Sequence, residues 1–332
     1  MSGARRARAM RRALLCLAVL AAPIAAAPAR AADAYPSKPV HLIVPFPPGG
    51  PADFFGRTLS KALGPLLEQA IVIDNRTGLG GIVGVEGIAK AAPDGYTIGI
   101  ASPGAIVIAP AITPKMPYDS LRDLAPITLI VTVPEAVVAV PKLGVKTLPE
   151  FVAYAKAHGS TLNMASTGSG SMPHLAGELL KREAGFESLH VPYRGAAPAV
   201  NDLLAGQVDW MFADLPILIP HIKAGNLVAL ALGSGARAPS LPELPTTAEA
   251  GYPKVLADNW YGMFAPAATP PEIRQKLYDA TTKALQDPDL QATLAKQGAQ
   301  AKGMPSEAFT AFVKSEGQKW GGLAVAVGAK FE

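Results

Sequence analysis

The chain has 332 residues, 49% of them hydrophobic and 17% charged, with a formal net charge of +4. Six basic residues and no acidic ones lie in the first 31 positions, so the balance beyond them falls to −2, which excludes a broad basic surface for nucleic acid. The single cysteine, Cys16, lies in the same stretch, and the remainder can form neither a disulfide nor a thiolate site.

The chain opens with Arg5, Arg6, Arg8, Arg11 and Arg12 ahead of an apolar run over 13–27. Ala29-Arg30-Ala31 then offers small residues where a signal peptidase reads. This order predicts a secretory signal over 1–31, with cleavage after Ala31 leaving 301 residues in the periplasm. The run is short for a membrane span of roughly 20 residues. Leu15 before Cys16 argues against lipid attachment, and Arg11-Arg12 leaves the Sec and twin-arginine routes both open.

Beyond the signal, 40–44 reads as a buried strand. A helix follows over 53–67, where Phe54, Leu59, Leu63, Leu66 and Leu67 recur at helical spacing. A strand at 70–73, a helix at 82–91 and a strand at 96–101 complete a strand–helix alternation. That alternation predicts an α/β fold with a parallel sheet covered by helices. Ligands in such sheets bind beyond the carboxyl ends of strands, where 46–50 and Ser102 fall. Two strands, 127–133 and 136–140, are separated by Pro134, which suits a crossover between lobes. A helix at 148–157 and a strand at 162–165 lead into the serine–glycine turn 166–171, which opens a helix over 173–183. A strand at 189–192, a turn at Arg194-Gly195 and a helix to Leu204 repeat the arrangement. Strands follow at 208–213, ending at Asp214, and at 227–232. A proline-rich connection covers 237–250, and 260–265 is the return strand into the first lobe. Helices at 271–286, 289–297 and 306–317 close the chain.

Two glycine turns therefore each open a helix: PFPPGGPADFFGR over 45–57 and STGSGS over 166–171. The first N–H groups of a helix have no intrahelical acceptor, and the helix dipole favours negative charge there. Taken by itself, the first turn serves as well for a plain strand–helix connection as for an anion cradle. It has no lysine and no GK[ST] ending, so it is not a nucleotide P-loop. Asp53 is read first as a cap on its own helix, and second as an acceptor for a ligand ammonium or a water. His174, in the first turn of the second helix, is either a structural group or a pocket residue. Arg194 is read as a rim salt bridge in preference to a partner for a second carboxylate. Trp210, Trp260 and Trp320 are read as core or hinge packing, and one of Phe54 and Phe55 as facing outward. The five histidines show no metal-ligand spacing, and no GxSxG or ordered Ser–Asp–His series accompanies the serines. No metal, no cofactor and no catalytic residue is expected.

With these stretches laid out, the sequence resembles the extracytoplasmic solute receptors of the tripartite tricarboxylate transporter class, also called Bug proteins. The likeness runs through YPSKPVHLIVPFPPGGPAD, DNRTGLGGIVG, AAPDGYTIGIAS, ASTGSGSMPHLAGELLKREAG, HVPYRGAAPAVNDLLAGQVDWMF and WYGMFAPAATPP. The resemblance implies a type II periplasmic binding protein fold with two α/β lobes and a hinged ligand cleft. It places lobe 1 at 32–133 and 258–332 and lobe 2 at 134–257. It implies a monomeric receptor, not an enzyme, that binds a small organic carboxylate and delivers it to inner-membrane permease subunits. A sensor signalling to a two-component histidine kinase is the alternative. Carried onto this chain, the ligand-binding residues are Phe46, Pro48, Gly49, Asp53, Ser166, Thr167 and Gly168, with Ser102, His174 and Asp214 as further candidates. The chain departs from the family's pattern at Thr77, where proline usually follows the arginine, and at Arg194, where lysine is frequent.

Overall fold

A computed structural model describes residues 35–330. The expected signal over 1–31 lies outside the described residues. Among them, no helix is long and apolar enough to cross a membrane.

The first half of the sheet is built as the alternation predicts. Strand β1 (Val40–Val44) pairs in parallel with β2 (Ile71–Asn75) on one side and β3 (Thr97–Ala101) on the other. Val40, Leu42, Ile43 and Val44 have no exposed surface, as expected of a parallel strand covered on both faces. Helix α1 (Pro51–Leu67) connects β1 to β2, and α2 (Ile82–Ala89) connects β2 to β3. Helix α1 starts two residues earlier than its apolar spacing indicates. Pro51 takes the first helical position, where its missing N–H costs nothing. After β3 the chain winds through a wide helical turn (Gly104–Ile108) into the short α3 (Ala109–Ile112), a segment without a sequence assignment.

The two strands expected around Pro134 are one strand, β4 (Leu124–Ala139), of 16 residues. Its first part pairs antiparallel with β9 (Asp258–Pro266), from Leu124 opposite Pro266 to Pro134 opposite Asp258. Its last part pairs antiparallel with β7 (Trp210–Asp214), from Glu135 opposite Asp214 to Ala139 opposite Trp210. Pro134 thus falls where β4 exchanges one partner for another, so its missing N–H interrupts no continuous ladder. Pro126 lies beside a shift of register against β9, the other position in a sheet that accommodates proline.

The second half repeats the parallel plan. Helix α4 (Leu148–His158) leads to β5 (Asn163–Ser166), α5 (Met172–Ala184) to β6 (Leu189–Pro192), and α6 (Ala196–Leu204) to β7. Helix α7 (Leu215–Lys223) follows β7 directly, and β8 (Val228–Leu232) pairs with the end of β4. The sequence hides α7 because Pro216 and Pro220 both lie within it. The strand order is β2-β1-β3-β9-β4-β7-β5-β6. Helices α8 (Pro271–Leu285), α9 (Pro288–Lys296), α10 (Ser306–Glu316) and α11 (Gly322–Ala326), with the two-residue β10 (Gln300–Ala301) on β4, complete the chain.

Trp210, Trp260 and Trp320 are fully buried in the main hydrophobic core. The Trp260 and Trp320 indole N–H groups both donate to the Glu316 carboxylate, at 3.0 and 2.9 Å. These bonds tie β9 to the last helices. Phe55 is buried against Tyr261 of β9, with ring centroids 5.1 Å apart, and Phe54 is left half-buried.

Candidate functional site

The carboxyl ends of β1, β3, β5 and β7 all feed one cavity. Its empty space is about 570 Å3 including the mouth. From the first half come Phe46, Pro47, Gly50, Pro51 and Ala52 after β1, Gly80, and Ser102 and Gly104 after β3. From the second half come Thr167, Ser171, Met172 and Pro173 after β5, Ala196 and Ala197 at the start of α6, and Asp214. Asn259 and Tyr261 of β9 supply the floor.

The backbone makes this cavity distinctive. The first turns of α1, α5 and α6 all line it. Each has a proline, which carries no N–H, among its first three residues (Pro51, Pro173 and Pro198). Their leading N–H groups have no intrahelical acceptors, and three positive dipole ends add in the same volume. Ser102, Thr167 and Ser171 contribute hydroxyls. Asp214 is the only charged side chain on the wall.

Ten residues were expected to bind ligand. Four of them, Phe46, Ser102, Thr167 and Asp214, line the cavity. The other six, Pro48, Gly49, Asp53, Ser166, Gly168 and His174, belong to the same turns and helix starts but are not among its lining residues. Asp53 is buried, and its carboxylate accepts from Gly49 N–H at 3.0 Å, Arg57 Nε at 2.9 Å and Asn75 Nδ2 at 3.1 Å. Burial acts to raise its pKa, but the bonds from Arg57, Gly49 and Asn75 outweigh it and hold the carboxyl below its usual range. Asp53 therefore holds the turn that leads into its own helix, reaching back from the third helical position to Gly49, the residue before the N-cap Gly50. Gly49 adopts φ +85°, which only glycine takes without strain, and so turns its N–H toward Asp53. Asn75 also donates to the carbonyl of Phe46 at 3.0 Å, which ties the turn to β2.

The second turn is held by two histidines. Gly170 N–H donates to His174 Nδ1 at 3.0 Å, and Ser171 Oγ caps α5 by accepting from His174 N–H. The His174 ring stacks on His190 with centroids 3.9 Å apart and planes 9° from parallel. His190 Nε2 in turn lies 2.7 Å from Ser166 Oγ, which also accepts from Gly168 N–H. Burial, then the neighbouring ring and Lys181, pushes His174 down to about 3; burial and Lys181 push His190 down to about 4. Both rings are neutral at ordinary pH, as His174 must be to accept at Nδ1. Sequence spacing did not pair them, because His190 is brought in by the β5–β6 ladder. Ser166 is fully buried, so its contact with His190 serves the turn and not an attack on substrate.

The floor is acidic. Asp214 accepts from Asn259 Nδ2 at 2.7 Å and from the Tyr261 hydroxyl at 2.5 Å. Burial raises its pKa to about 6, against the opposing effect of those two bonds. Asn259 and Tyr261 were not foreseen, since β9 is remote from both glycine turns in sequence. The α6 terminus carried a usable signal, a glycine turn that opens a helix at 194–196. Among the described residues no group of three or more His, Cys, Asp or Glu side chains is placed to hold a metal ion.

Residues 55–329 match the family profile described as TctC, the tripartite tricarboxylate transporter family receptor. The chain is 37% identical over 319 residues to Protein BugT of Bordetella pertussis, covering 96% of each chain. It resembles the structure of MatC from Rhodopseudomonas palustris with bound malate at a TM-score of 0.83 and 32% identity, over 87% of this chain and 99% of that one. It also resembles R. palustris Rpa4515 with adipate at a TM-score of 0.86 and 32% identity, over 89% and 99%.

Proposed function

Because the chain belongs to the tripartite tricarboxylate transporter receptor family, whose members are solute receptors and not enzymes, we propose that it captures a small organic carboxylate in the cavity between its two sheet halves. The observation that carries this reading is the convergence of three helix N-termini on one cavity with the hydroxyls of Ser102, Thr167 and Ser171 and, among the described residues, no lining cation. A carboxylate placed there receives hydrogen bonds from backbone N–H groups on both sides. Each charge-assisted bond contributes about 1.5–3 kcal/mol and each helix terminus about 0.3–1 kcal/mol. A micromolar affinity requires about 8 kcal/mol, which a handful of such bonds reaches before ordering costs. The malate and adipate held by the two related proteins are acids of this class.

In this reading the chain works in the periplasm as a monomer and hands its ligand to inner-membrane permease subunits. Lobe 1 comprises 32–133 and 258–332 and lobe 2 comprises 134–257. Their hinge lies at the two strand crossings, Pro134 and Asp258, which face each other in the β4–β9 ladder. Closure brings glycine backbone from one lobe against the other, for a Cβ built on Gly104 would lie 3.4 Å from the carbonyl oxygen of Gly170.

Titration calorimetry against a panel of mono-, di- and tricarboxylates tests the reading. Heat and a thermal shift with at least one acid are expected, and silence across the whole panel overturns it. Pull-down from membranes carrying either the permease or a sensor kinase identifies the receiving partner.

A further inference from the structure

Beside the cavity lies a second one, of about 710 Å3 including its mouth. The two share Phe46, Pro47, Gly80 and Thr167 as a common wall. The outer cavity is lined otherwise by Pro45, by bare backbone at three glycines, and by Thr77 and Arg194. Arg194 is the only charged side chain on its wall. The rim salt bridge expected of Arg194 is not formed: it has no ion pair or hydrogen bond to any described residue. The next residue, Gly195, packs closely, with φ +116° and a Cβ there 3.1 Å from Pro47 Cδ.

We propose, resting on the carboxylate reading above, that the outer cavity is a subsite for a second anionic group, with Arg194 as the residue that selects α,ω-dicarboxylates over monocarboxylates. Two observations support it. Among the described residues the charged side chain on the inner wall is the acidic Asp214 and that on the outer wall is the basic Arg194, so the second charge of a dianion held by the helix termini is favoured in the outer space. The two spaces adjoin at Phe46, Pro47, Gly80 and Thr167, so a ligand held in one can extend toward the other. Arg194 is exposed, so pairing it with a carboxylate costs little desolvation, and its effect is that of a solvent-facing ion pair.

The test compares adipate with hexanoate, equal in chain length and different by one carboxylate, by calorimetry at low ionic strength. The parent protein is expected to prefer adipate. Arg194→Gln should reduce that adipate-to-hexanoate preference by about two- to fivefold, the range of an exposed ion pair, and Arg194→Lys should restore most of it. Added salt should erode the preference in the parent and not in Arg194→Gln. A preference for adipate that survives Arg194→Gln undiminished, or a parent that binds both acids equally, overturns the subsite while leaving the carboxylate reading intact. Failure of the parent to bind any carboxylate overturns both. Melting curves establish that each variant is folded before its affinities are compared.

Discussion

Glu135 lies directly opposite Asp214 in the antiparallel β4–β7 ladder, fully buried, with neither carboxyl oxygen bonded to any described residue. Burial, then the charges of Asp214 and Asp258, raises its pKa well above the usual carboxylate range. The pair sits where β4 changes partners, and of the two only Asp214 lines the cavity. A buried carboxyl without partners weakens the fold by about 1–3 kcal/mol. Glu135→Met is therefore expected to stabilise the protein by that order in urea melts at pH 7.5. A loss of the same size would show that the carboxyl does work the geometry does not reveal.

The same two acids set one limb of the pH dependence. A carboxyl whose pKa is raised on folding binds its proton more tightly in the folded state. Its contribution is most favourable below the unfolded value of about 4 and is lost as pH rises toward the folded value, about 6 for Asp214. Asp214→Asn should therefore flatten the fall in melting temperature between pH 4 and 6. A parent and variant with parallel curves across that interval would refute the assignment.

The histidine pair sets the opposite limb. Both rings are held neutral in the fold, with values pushed down to about 3 and 4. Their contribution is complete above the unfolded value of about 6.5 and is lost as pH falls from there toward 4. His190→Gln keeps a hydrogen-bonding group near Ser166 and removes the ionisation. It is expected to lose less melting temperature than the parent between pH 6 and 4.5, and parallel melting curves across that interval would refute the assignment.

Asp53 supports the first turn through three hydrogen bonds. Asp53→Ala should cost about 1–3 kcal/mol of stability by leaving the turn N–H and Asn75 without their acceptor. It should also weaken ligand binding, although Asp53 does not line the cavity. Asp53→Asn should recover part of both. Because the Asp53 pKa is lowered on folding, its support is present above the unfolded value of about 4 and is lost as pH falls through the lower folded value.

Gly195→Ala places a methyl 3.1 Å from Pro47 Cδ at a φ that side chains rarely adopt. Strain of about 1–3 kcal/mol is expected. It should appear mainly as weaker binding of any ligand that requires the two turns to meet. Small-angle scattering with and without ligand would read the change as a reduced response to ligand, and an unchanged response would refute it.

Much of this protein was legible in its residues because the forces involved are local. The apolar run of β1, the helical spacing of Leu59 and Leu63, and the glycines that turn strand into helix act over a few positions. They determined the α/β alternation, the parallel first strands and the placement of both turns at strand ends. Pro134 shows where locality fails: as sequence it separates two strands, yet in the ladder it falls where β4 passes from β9 to β7, and one strand continues through it. Tertiary structure alone decided which turn residues line the cavity, that Asp53 and His174 bond to the turns beside it, and that Asn259 and Tyr261 line it while His190 stacks on His174. Those outcomes depend on which distant strands lie side by side, and on which N–H groups a neighbour leaves unclaimed, and neither is a property of any short stretch of chain.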